Sequence, residues 1–180
     1  MKKKKSPLGL IIILLAIAVV VLLVKNFHIK DFNIVSPGVL YTSAQPRGMD
    51  YTRLLYRYHI ATIVSVRTIY EHREKNWHNE EVVWVRNNGV NYVELPFEKR
   101  DRVPDVNTQE RFLAVMANNT YFPVLLHGSG DDGRVAMLMA VWLIKARGYN
   151  HEKALVEVKK IIDNRELTEV ETAFINDLAK

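Results

Sequence analysis

Hydrophobic and polar positions divide the chain into two regimes. From Leu8 to Val24 the sequence LGLIIILLAIAVVVLLV carries no charge. A helix apolar on every side has no face for water, and seventeen residues lie near the lower end of the roughly 17–25 that span a hydrocarbon core. The pattern predicts a transmembrane helix over 8–24. A cleaved signal would end in small residues, whereas Val24 runs directly into Lys25, Asn26 and Phe27, so the reading is an uncleaved anchor. Lys2, Lys3, Lys4 and Lys5 outweigh Lys25 and Lys30. The positive-inside tendency then puts a basic segment 1–7 in the cytoplasm and everything after a linker over 25–36 on the periplasmic or extracytoplasmic side.

Beyond the linker, apolar positions alternate between helical spacing and short β-branched runs. A turn at Pro37-Gly38 leads into a brief strand at Val39-Leu40-Tyr41. Gly48 to His59 places Leu54, Leu55 and Tyr58 at helical spacing, and Ala61 to Val66 is a β-branched run suited to a buried strand. Glu80 to Asn87 predicts a helix closed by Gly89, Val90 to Leu95 a strand stopped by Pro96, and Phe97 to Pro104 a charged loop. A helix over about Val106 to Asn118 precedes a short strand, Pro123 to Leu126. The segment from Val135 to Ala146 is apolar on nearly every side, as expected of a helix in the centre of a domain. Two helices close the chain, one from about His151 to Asn164 and one from Thr168, where Thr168 and Glu171 have capping-box spacing. Alternating strands and helices predict one α/β domain over 37–180 with a central, mostly parallel sheet, which binds ligands beyond the carboxyl ends of its strands.

Composition narrows the function. The 180 residues suffice for one domain with a proper core. The formal charge of +5 comes almost entirely from the four N-terminal lysines, and the near-neutral remainder lacks the basic stripe that tracks a nucleic acid. There is no cysteine, which excludes disulfides, thiolate zinc sites and thiol nucleophiles. His28, His59, His72, His78 and His151 are scattered without ligand spacing, and a single tight loop holding His127 with Asp131 and Asp132 rarely supplies three convergent ligands. No metal and no cofactor are expected.

The candidate chemistry lies between the strand ending at Leu126 and the buried helix, in His127-Gly128-Ser129-Gly130-Asp131-Asp132-Gly133-Arg134. Glycines let backbone N–H groups converge, a helix N-terminus favours anions, and Arg134 would clamp two oxygens of a phosphate or sulfate. The same loop also reads as a tight turn whose glycines serve only backbone angles, with the aspartates capping the next helix.

This loop resembles the signature of the tyrosine and dual-specificity phosphatases, His-Cys, five residues, then Arg, with His127 and Arg134 in register and Gly128 at the cysteine position. The resemblance extends from about Pro37 to Ile162. Pro37-Gly38-Val39-Leu40-Tyr41-Thr42-Ser43-Ala44-Gln45-Pro46 is similar to the opening of bacterial dual-specificity-like members, and Tyr58 to Arg67 to their helix end and strand that closes on an arginine. It implies a phosphatase-like fold and a phosphate loop over 127–134.

In that family the thiolate attacks phosphorus, the arginine holds the phosphoryl oxygens and an aspartate on a separate loop protonates the leaving group. Here Gly128 has no side chain, and Val135 replaces the hydroxyl residue that follows the arginine. Asp101 is the first candidate for the general acid and Asp105 the second, although Asp105 also reads as a helix N-cap. Two carboxylates in a dianion cradle would each cost about 1 kcal/mol through like-charge repulsion. The resemblance implies a pseudophosphatase that binds a phosphorylated or anionic ligand, or a phosphoprotein. Two alternatives are open: a hydrolase using Ser129, Asp131 or activated water, and an interaction module whose loop binds nothing.

Overall fold

The computed structural model describes residues 7–74, 76–98, 102–130, 133–162 and 165–179, the side chains of 7–8, 21–27 and 74 excepted. Five short strands are described: β1 (Asn33–Ser36), β2 (Leu40–Ser43), β3 (Thr62–Ser65), β4 (Asn91–Glu94) and β5 (Val124–His127). They form one sheet in the order β1-β2-β5-β3-β4. β1 pairs antiparallel with β2, and all other neighbours run parallel. The sheet is therefore mixed, with its antiparallel strand inside the stretch read as a linker. The charged and aromatic phrase Lys30-Asp31-Phe32 concealed this strand, whose partner Tyr41 stacks on Phe32.

Successive strand residues face opposite sides of a sheet, and each side here has its own core. Leu40, Val64, Val124 and Leu126 pack with α6 (Arg134–Lys145), buried from Arg134 through Ile144. α5 (Val106–Ala117), α7 (His151–Ile161) and α8 (Glu169–Leu178) surround that helix. Tyr41, Ile63 and Leu125 face the other way, toward Tyr51 and Leu54 of α2 (Met49–Tyr56) and Val85 of α4 (Trp77–Asn88). A helix flanked on all sides by a sheet and three helices has to be apolar all round, which accounts for the Val135–Ala146 pattern. Thr168 and Glu171 form the expected capping box. A short helix, α3 (Ile69–Glu74), follows β3 where the sequence pattern gave no element.

The transmembrane reading requires correction. The apolar run does form a helix, α1 (Pro7–Phe27), and its side chains from Gly9 to Val20 are exposed. Among the described residues, however, no helix is long and apolar enough to cross a membrane. The anchor over 8–24, the cytoplasmic segment 1–7 and the extracytoplasmic domain inferred from them lose their support with it.

Strand register sets up the site. Ser43, His127, Ser65 and Glu94 end their strands level with one another. The loop after β5, the α3 segment after β3 and the turn after β4 thus leave the same edge of the sheet, the edge at which parallel sheets bind ligands.

Candidate functional site

The loop leaves β5 at Gly128 and enters α6 through Gly133, the N-cap, with φ of 77°. Gly130 has φ of 99°. Both angles lie in the region that favours glycine. A Cβ on Gly133 would collide with Arg165 and Glu171, and one on Gly130 would lie 3.2 Å from Ala44 and 3.3 Å from Asp31. The backbone angles favour glycine at both positions, and the space left for a side chain is tight at each. Asp131 and Asp132 lie outside the described residues, as does Asp101, the first candidate for the acid.

Arg134 sits at the first turn of α6 with no solvent exposure. Its guanidinium donates to Glu71 through both terminal nitrogens, Nη1 to Oε2 at 2.9 Å and Nη2 to Oε1 at 2.8 Å. Nη1 also reaches the carbonyls of Val66 at 3.0 Å and Phe97 at 2.9 Å, and Nη2 lies 3.4 Å from Ser129 Oγ. The fork that would hold two phosphoryl oxygens thus holds two carboxylate oxygens. Glu71 accepts further bonds from the N–H of Thr68 at 2.9 Å and its hydroxyl at 3.2 Å.

Burial alone would raise the Glu71 pKa, but Arg134, the Thr68 N–H and Ser129 outweigh it and pull it down to about 2. A carboxylate with a depressed folded pKa adds stability above its unfolded value, and loses it as pH falls through the folded one. Stability should therefore drop between about pH 4.5 and about pH 2. The side chain is partly solvated, so the Glu71 share is of order 1–3 kcal/mol. Urea unfolding at a series of pH values measures it.

A second buried cluster lies behind the loop. His127 is fully buried, with Nε2 3.2 Å from Glu81 Oε1 and Nδ1 3.4 Å from the Gly128 carbonyl oxygen. Glu81, 1% exposed, accepts from Gln45 Nε2 at 3.2 Å, Tyr51 Oη at 3.3 Å and Tyr92 Oη at 3.0 Å. Burial raises the Glu81 pKa, yet the charge and hydrogen bond of His127, with the two tyrosines, lower it overall. Gln45 Oε1 in turn accepts from Arg67 Nη1 at 2.7 Å. Gln45, Arg67 and His127, one from each stretch that carries the family resemblance, meet in this network. The two ring nitrogens of His127 thus face Glu81 and the Gly128 carbonyl oxygen.

Asp105 is exposed and caps α5, accepting from the Thr108 N–H at 2.7 Å. The Thr108 hydroxyl and then its N–H lower the Asp105 pKa, the wrong direction for a proton donor. Asp105→Ala should cost about 2–5 °C of melting temperature through loss of the cap, with phosphatase assays unchanged. A change in turnover with no thermal shift would show the reverse.

Glu71 and Glu81 were missed by sequence reasoning. The signal for Glu71 was present, since Thr68 and Glu71 repeat the spacing of Thr168 and Glu171. The partners of Glu81 are separated from it by 30 residues or more, Tyr92 excepted.

The fold has known counterparts. The chain is similar to the core catalytic domain of the PP-IP phosphatase SIW14 from S. cerevisiae, crystallised with citrate, at TM-score 0.67 and 14% identity over 81% of this chain and 84% of that one. It is also similar to TpbA of P. aeruginosa in complex with pTyr, at TM-score 0.60 and 23% identity over 81% and 82%. A putative phosphatase from Shewanella putrefaciens matches at TM-score 0.62 and 20% identity over 83% and 91%. At these identities the likeness establishes the fold. The family model for the Swiss Army Knife protein, DSP-PTPase phosphatase domain, matches residues 29–174, and this chain, with its cysteine-free signature loop, belongs to that family.

Proposed function

We propose that the protein is a pseudophosphatase, a dual-specificity-phosphatase-like domain that binds a phosphorylated or anionic ligand, free or on a phosphoprotein, through residues 127–134. The observation that carries this reading is the pairing of an arginine already loaded with an oxyanion, Glu71, with a glycine at the nucleophile position. Without a thiol, phosphoryl transfer needs another nucleophile and a base. Ser129 lies near Arg134, but its neighbouring carboxylate, Glu71, has a pKa pulled to about 2 and is a poor base. That weighs against the active-hydrolase alternative. The donors around Glu71 already converge on two oxygens, so an external anion would compete with that side chain for Arg134. The citrate and pTyr held by SIW14 and TpbA are anions of this kind.

A thermal melt in phosphate, vanadate or phosphotyrosine tests the reading. An occupied loop raises the melting temperature by mass action, and the shift should grow in Glu71→Gln, where the competing charge is gone. No shift in either protein would favour the interaction module, in which Glu71 keeps Arg134 from any external anion.

A further inference from the structure

Beyond the loop, a cleft of about 780 Å³ opens at the carboxyl edge of β3 and β4, lined among others by Arg67, His72, Arg73, His78 and Glu94. Three of these side chains, from three different elements, converge. His72 is on α3, His78 on α4 and Glu94 ends β4. One ligand atom from each lies within 4.8 Å of the others. The two imidazoles stack at 3.9 Å with planes 3° apart, and His78 Nδ1 lies 3.7 Å from Glu94 Oε1. Nε2 of His72 is buried with no hydrogen-bond partner. A buried imidazole nitrogen left without a partner is uncommon in folded proteins.

We infer that His72, His78 and Glu94 bind a divalent transition-metal ion of the zinc class, with a fourth position open to the cleft. Two imidazoles and a carboxylate are donors that zinc accepts, and three protein ligands with one open position is the pattern of sites that hold a water or a substrate. Zinc–nitrogen and zinc–oxygen bonds of about 2.0–2.2 Å place tetrahedral donors about 3.3–3.5 Å apart. Because an imidazole lone pair lies in the ring plane, ligation by both residues requires one ring to turn out of the present parallel stack. An ion held through Nε2 of His72 would give that nitrogen a partner. Arg73, an exposed residue that also lines the cleft, suits an anionic fourth ligand.

The inference is independent of what the loop at 127–134 binds. Its test is titration of the untagged, chelator-treated full chain with ZnCl2, followed by calorimetry and by melting temperature. Cobalt(II) absorption reports the geometry. The expected result is one equivalent bound with micromolar or tighter affinity, a raised melting temperature and the visible bands of a tetrahedral cobalt site. His78→Ala and Glu94→Ala should each weaken binding at least about tenfold, while His151→Ala, an exposed residue on α7, leaves it unchanged. Melting of each variant in chelator separates lost binding from lost folding. No binding at micromolar zinc, or binding that survives both His72→Ala and His78→Ala in folded protein, overturns the inference.

Discussion

Glu71→Gln is expected to lower the free energy of unfolding by about 2–4 kcal/mol at pH 7, because removing one partner of a buried pair leaves the other charge uncompensated. Arg134 has no solvent exposure and directs both terminal nitrogens at that carboxylate. The amide keeps one acceptor oxygen, so the cost should fall below that of Glu71→Ala. Urea midpoints measure the loss. Two companion results follow from the same geometry. The variant should lose the part of the acid limb, between about pH 4.5 and about pH 2, that Glu71 contributes in the parent chain. Phosphate should also return part of the lost stability, since at a concentration one-hundredfold above its Kd a bound anion contributes about 2.7 kcal/mol. An unchanged midpoint would mean that the pair is not formed in solution.

Glu81→Ala is expected to cost about 3–5 kcal/mol, the range for stranding buried polar partners. One carboxylate at 1% exposure receives hydrogen bonds from Gln45, Tyr51 and Tyr92 and faces the fully buried His127. Removing it leaves both hydroxyls and the imidazole facing a void. Glu81→Gln should cost less, because the amide oxygen still accepts while its NH2 replaces one acceptor with a donor. A Glu81→Ala protein within about 0.5 kcal/mol of the parent, the scatter of neutral surface substitutions, would mean that the network is not a stabilising unit.

What the sequence reveals about this fold follows from the range of each interaction. The buried strands β3 and β5 and the central helix α6 were legible because burial on every side writes a continuous apolar run. The caps at Thr168 and Asp105 were legible because a cap is a contact over three residues. Arg134 was legible as the end of the loop motif, but its partner Glu71 lies 63 residues earlier, and no periodicity links the two. His72, His78 and Glu94 show no ligand spacing for the same reason: the sheet register and two helix starts bring them together, not their separation along the chain. The apolar run at 8–24 shows the opposite failure. Hydropathy alone suggested a membrane span, whereas among the described residues no helix has the length and apolarity to make one.

The central claim is that the arginine and loop of a phosphatase persist here without its hydrolytic chemistry. The most direct measurement is phosphate release from p-nitrophenyl phosphate by the purified chain beside a Glu71→Gln, Arg134→Met double variant. The double variant removes both charges of the buried pair, and its urea unfolding transition establishes that it is folded. The account predicts that both proteins match the buffer blank. Turnover by the parent chain that disappears in the folded double variant would contradict it.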